Sequence, residues 1–126
     1  MPIAIAVAIG GAVGSLARWW IGGLAQEASA TFPSGTLAIN VAGSLLLGFL
    51  ARYLLETSAP PELRLALTVG LCGGFTTFST FSYETVALLE SGSLVRAAVY
   101  VTASVVLSIA ATMAGLALAR LLLRTA

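Results

Sequence analysis

Histidine is absent from this chain of 126 residues, and cysteine occurs once, at Cys72. A zinc site of the usual His/Cys kind and a histidine-based catalytic triad are therefore excluded by inventory. One thiol makes no intrachain disulfide and carries no reading of redox compartment. Charge is scarce too: 9% of the residues are charged, where a soluble domain has about 25%. The six basic residues are all arginine (Arg18, Arg52, Arg64, Arg96, Arg120 and Arg124), and the net charge is +1. That balance makes no case for nucleic acid or for a polybasic patch lying on a membrane surface. What is abundant is apolar residues, at 59%, with a mean hydropathy of +1.02. This composition is that of an all-α integral membrane protein.

A hydrocarbon core of about 30 Å takes roughly 20 helical residues to cross. Four spans of that size are expected, over residues 3–24, 34–55, 63–89 and 94–123, in one domain covering 1–126. Met1-Pro2-Ile3-Ala4 has no basic n-region, and the apolar run after it exceeds a signal-peptide core, so the first span reads as retained. Arg18-Trp19-Trp20 reads as an interfacial belt with a snorkelling arginine, a vestibule charge being the alternative for Arg18. A polar loop follows from Gln26 to Ser34, and Pro60-Pro61 and Ser91-Gly92-Ser93 mark the later turns. An even number of spans puts both termini on one side. That side carries Arg52, Arg64, Arg120 and Arg124 against Arg18 and Arg96 on the other, a modest preference for termini inside.

The third span holds the most informative stretch. Gly70, Gly73 and Gly74 fall within five positions, and residues 76–82 carry five hydroxyls. Glycine inside a helix costs about 1 kcal/mol against alanine, and hydroxyls can satisfy backbone groups that a broken helix leaves free. In lipid, broken backbone survives only buried in protein or beside a wet cavity. A functional break is expected here. Elsewhere Thr36 and Asn40 share a face of the second span, and Asn40 reads equally as helix glue and as a ligand group. Tyr100, Ser104, Ser108 and Thr112, spaced by four, form a polar stripe on the fourth span. Glu84, near the end of the third span, reads as a solvated interfacial carboxylate.

The embedded polar groups are then Thr36, Asn40, Thr76, Thr77, Ser79, Thr80, Ser82, Tyr100, Ser104, Ser108 and Thr112. All can donate a hydrogen bond and none is charged. A proton-coupled carrier calls for a titratable group at mid-membrane. Uncharged donors suit a small anion that must shed water and still leave. Phe78 and Phe81, three apart, can add their electropositive ring edges or can simply pack.

The run Gly73-Gly74-Phe75-Thr76-Thr77-Phe78-Ser79-Thr80-Phe81-Ser82, with Gly35-Thr36-Leu37-Ala38-Ile39-Asn40 upstream, resembles the Fluc family of fluoride channels. The likeness in length, spans and hydroxyl stripe extends over nearly the whole chain. The resemblance implies an antiparallel, dual-topology homodimer with two fluoride pores, in the plasma or inner membrane. It implies that Asn40, Phe78 and Phe81 line those pores, with Thr36, Ser79 and Thr80 among the donors. Tyr100, Ser104 and Ser108 match the family's polar track, and Arg18 a basic residue near the aqueous mouth. Gly73 and Thr76 match residues whose main-chain oxygens hold a central sodium ion, two from each chain. The expected function is passive export of cytoplasmic fluoride, with no enzyme activity and no nucleic-acid partner. A small dual-topology multidrug-type exporter is the alternative, although Met1 to Ala17 holds no acidic residue for it. A purely structural subunit would explain the glycines but not the hydroxyls with Asn40.

Overall fold

The computed structural model describes residues 2–26 and 31–126. Met1 and residues 27–30, in the middle of the expected polar loop, lie outside the described residues. The elements in order are α1 (Pro2–Gln26), α2 (Ser34–Glu56), α3 (Pro61–Leu65), a π-helical segment (Ala66–Cys72), α4 (Gly73–Phe75), α5 (Phe78–Glu90) and α6 (Leu94–Thr125). Among the described residues there is no strand. Four stretches are long and apolar enough to cross a membrane: Pro2–Ala25, Ser34–Glu56, Pro61–Glu90 and Leu94–Thr125. The protein is an all-α, multi-pass membrane protein.

Its side chains are arranged for a nonaqueous surround. Ile5, Ile9 and Leu16 on α1, and Val106, Ile109 and Met113 on α6, are all exposed. Helices apolar on every side need lipid or protein around them. Apart from glycines, the buried set among the described residues is small: Ile39, Leu54, Cys72, Ala97, Tyr100, Ala119 and Ser104. Large apolar side chains therefore do little of the internal packing.

Glycines do it instead, in two seams. A Cβ on Gly10 would fall onto the carbonyl oxygen of Ala66, and one on Gly14 onto that of Leu71. From the other side, a Cβ on Gly70 would meet Val7 O at 2.6 Å. Helix α1 and the π segment thus touch backbone to backbone, which is how helices associate where burial of apolar surface offers nothing. In the second seam Gly48 of α2 sits on the backbone of Thr112, and Gly115 of α6 on that of Leu45.

The third span is interrupted, but not at its glycines. Gly73 and Gly74 have helical backbone, and Gly70 lies within the π segment. The chain becomes extended at Thr76 (φ −79°, ψ 158°) and Thr77 (φ −151°, ψ 113°), then resumes as α5. Gly70 and Gly74 are small because α1 is close, with Gly11 O at 2.5 Å from a Cβ on Gly74. The β-branched threonines take the extended backbone, which suits them.

Candidate functional site

The interruption leaves backbone groups without helical partners, and named side chains take them up. The N–H of Thr77 donates to Asn40 Oδ1 at 2.8 Å, and Asn40 Nδ2 donates to Thr77 O at 3.1 Å. One primary amide from α2 thus satisfies both main-chain groups of one residue at the break. Thr77 also caps α5: its Oγ1 accepts the Thr80 N–H at 3.2 Å, and its hydroxyl donates to Thr80 Oγ1 at 3.0 Å. Arg18 Nε donates to Gly74 O at 3.0 Å, and the Ser15 hydroxyl reaches that oxygen at 3.5 Å. Arg18 is half-buried and tied to the break, not merely snorkelling to the headgroups.

The carbonyls of Gly73, Phe75 and Thr76 gain no such partner among the described residues. The N–H that would close a helical bond to Gly73 O is that of Thr77, which goes to Asn40. The one for Thr76 O is that of Thr80, which goes to the Thr77 hydroxyl. Gly73 is exposed and has nothing within 4 Å of where a Cβ would stand. Main-chain oxygens left without a hydrogen-bond partner are ligands for hard cations. Among the described residues no group of three or more His, Cys, Asp or Glu side chains comes together.

A cavity of about 600 Å³ opens beside the break, between α1, the start of α2 and α5. Arg18, Thr31, Thr36, Thr77, Thr80 and Glu84 are among its polar lining, and Trp19, Phe32 and Tyr83 are its aromatic residues. Glu84 corrects the reading of a merely solvated carboxylate. Its Oε1 accepts the Thr36 hydroxyl at 2.7 Å and its Oε2 accepts the Tyr100 hydroxyl at 2.6 Å. Both carboxyl oxygens of Glu84 are thus occupied by hydroxyl donors from other helices. Thr36 and Tyr100 are donors, but the Glu84 side chain already accepts their hydrogen bonds. The site is therefore a competition between Glu84 and any entering anion.

Below the cavity, α6 carries the stripe. Tyr100 is fully buried, its ring against Phe81 (centroids 5.2 Å) and edge-on to Phe32 (5.6 Å). Ser104 is 7% exposed, and its hydroxyl has no partner among the described residues. Such a buried donor costs about 1–3 kcal/mol unless something satisfies it. Thr112 leaves the stripe, because its hydroxyl bonds back to Ser108 O at 3.0 Å. Ser82 does the same to Phe78 O at 2.9 Å.

Of the expected site residues, the fold gathers Asn40, Thr36, Thr80, Tyr100, Phe81 and Arg18 around the break and its cavity. Ser104 and Ser108 lie one and two turns further along α6. Ser79 and Phe78 face out of the chain, Phe78 with 79% of its surface exposed, although its ring is 5.4 Å from that of Phe81. Glu84 and Phe32 belong to the cavity and were not among the expected residues. The Thr36/Glu84 pairing has no signature in a one-dimensional pattern, since 48 positions separate the partners.

A family described as "CrcB-like protein, Camphor Resistance (CrcB)" matches residues 5–116. A Nitrobacter winogradskyi protein named "Fluoride-specific ion channel FluC" is 48% identical over 120 residues, 94% of this chain and 95% of its own. A Geobacter sulfurreducens protein of the same name is 49% identical over 122 residues, 95% and 98% of the two chains. A third so named, from Methylococcus capsulatus, is 52% identical over 117 residues, and this chain spans 51% of its length. The chain belongs to the CrcB-like protein family.

Proposed function

We propose that this protein is a fluoride-selective channel that lets cytoplasmic fluoride leave the cell down its electrochemical gradient. The carrying observation is the helix break clamped by Asn40. It places an amide donor of Asn40 at the break, beside a polar cavity that Arg18 helps to line. Asn40 spends one of its two amide N–H groups on Thr77. The other is in no hydrogen bond among the described residues and is free for a solute. Fluoride, small and strongly hydrated, needs several such donors to replace its water. A permanent cation among them would hold it too long. In this reading Ser79, Thr80, Ser104 and Ser108 supply the remaining donors, Thr36 and Tyr100 join them only when the anion displaces their bonds to Glu84, and Phe78 and Phe81 offer ring edges.

The working unit in this reading is an antiparallel homodimer inserted in both orientations in the plasma or inner membrane. The exposure of Phe78 and Gly73 supports it, because both would otherwise face lipid. The open oxygens of Gly73 and Thr76 suit a sodium ion, two from each chain. Such an ion would supply positive charge that holds two broken helices together without a charged side chain. Relatives bearing the fluoride-channel name over nearly full length add weight.

The test is in cells. A fluoride-sensitive bacterial strain expressing this chain is expected to grow at fluoride concentrations that stop the empty-vector strain. An Asn40→Asp variant made at equal abundance is expected not to rescue. Equal growth of vector and wild-type strains would refute the proposal.

A further inference from the structure

The end of the bundle away from the cavity holds a second hollow, of about 310 Å³, between the last turns of α2 and α6. It is lined by Arg52, Glu56, Arg120, Leu123 and Arg124. The fold has thus brought half of the chain's six arginines to one place, with a single carboxylate. Arg52 and Glu56 form an ion pair one turn apart on α2, the Arg52 Nε being buried against the carboxylate without hydrogen-bond alignment. Arg120 and Arg124 have no ion-pair partner among the described residues. They stand four apart on α6, where like charges repel. Glu56 offsets one of the three guanidinium groups, and the hollow keeps a net positive charge that an anion can join.

The chemistry of that anion follows from the side chains and the depth. Planar guanidinium forks match phosphate oxygens in pairs. The hollow lies where two membrane-spanning helices end, at headgroup level. Leu123 gives the hollow an apolar wall between the arginines, against which the start of an acyl chain can rest. We propose that this hollow binds the phosphate group of an anionic phospholipid. The site is independent of the ion pathway. Basic pockets between transmembrane helices are suited to such headgroups.

Native mass spectrometry of the purified protein, mixed with phosphatidylglycerol or phosphatidylcholine, reads the binding directly. Wild type is expected to retain phosphatidylglycerol preferentially. R120Q/R124Q is expected to retain it about thirtyfold less, from the usual worth of two basic residues at an anionic surface. R96Q, which changes charge at the opposite end, should bind as wild type does. E56Q should bind more tightly, because it removes the carboxylate that pairs with Arg52 in the hollow, a gain that misfolding cannot imitate. Equal retention of the two lipids by wild type would overturn the proposal, as would an R96Q loss as large as that of R120Q/R124Q. So would an E56Q variant with no gain. Inorganic phosphate that displaces the lipid as readily as a short-chain phosphatidylglycerol would make the site one for free phosphate and overturn the lipid assignment.

Discussion

Replacing Asn40 separates two roles that its amide performs at once. The alanine variant removes the Thr77 pair, the bonds at 2.8 and 3.1 Å. It leaves an N–H and a C=O unpaired at a half-buried break, at about 1–3 kcal/mol each. Against a total stability of about 5–15 kcal/mol, Asn40→Ala should unfold or disperse much of the protein. Asn40→Asp is gentler on the fold. Its carboxylate still accepts the Thr77 N–H, and only the donor to Thr77 O is lost, so a cost nearer 1–3 kcal/mol is expected. Its effect on an anion is larger. A unit negative charge about 4 Å from a passing anion costs about 4 kcal/mol at an effective dielectric of 20. That corresponds to roughly a thousandfold drop in rate. The assay is fluoride-electrode efflux from liposomes holding size-exclusion-purified protein, with thermal unfolding run alongside. Wild-type flux from folded Asn40→Asp protein would refute the role of this residue in conduction.

Other perturbations test separate parts of the site. Phe78→Ile is expected to slow fluoride efflux without changing the unfolding temperature of the chain, because the ring makes few contacts within it. Phe81→Ile should slow efflux and also cost about 0.5–1.5 kcal/mol through the lost contact with the Tyr100 ring; normal efflux from both would reduce the pair to packing. Gly14→Val should abolish monodisperse protein on size exclusion, since its side chain would enter the Leu71 carbonyl, and a well-behaved variant would mean that the α1 seam is looser than described. A cysteine added at the C-terminus in a Cys72→Ser background should be labelled from both sides of intact cells, and labelling from one side alone would defeat dual insertion.

How much of this was legible beforehand depended on the kind of contact. The spans were readable because hydropathy is a local property, and the outer limits of the helices fall close to those of the apolar runs. The presence of an interruption near residue 75 was readable from hydroxyls crowded after glycines, but its mechanism was not. Gly10, Gly14 and Gly70 are explained by carbonyls on another helix, and no window along one segment reveals that. Threonine looked like a source of donors for a solute. In the fold Thr77 and Thr36 spend their hydroxyls on Thr80 and Glu84. Glu84 was misjudged because depth was read and partners were not. It lies near the end of its helix, yet the starts of α2 and α6 bring Thr36 and Tyr100 to both of its oxygens. The arginines of the second hollow were counted only as a topology bias, since residues 52, 120 and 124 meet only once α2 and α6 pack in the same direction.

The central claim is that this chain conducts fluoride passively and prefers it to other halides. Purified protein in liposomes loaded with potassium fluoride or potassium chloride, released by a potassium ionophore without any nucleotide, measures this directly. Fluoride should leave far faster than from empty liposomes, and chloride should leave at the empty-liposome rate. Fluoride efflux no faster than from empty liposomes would contradict the account.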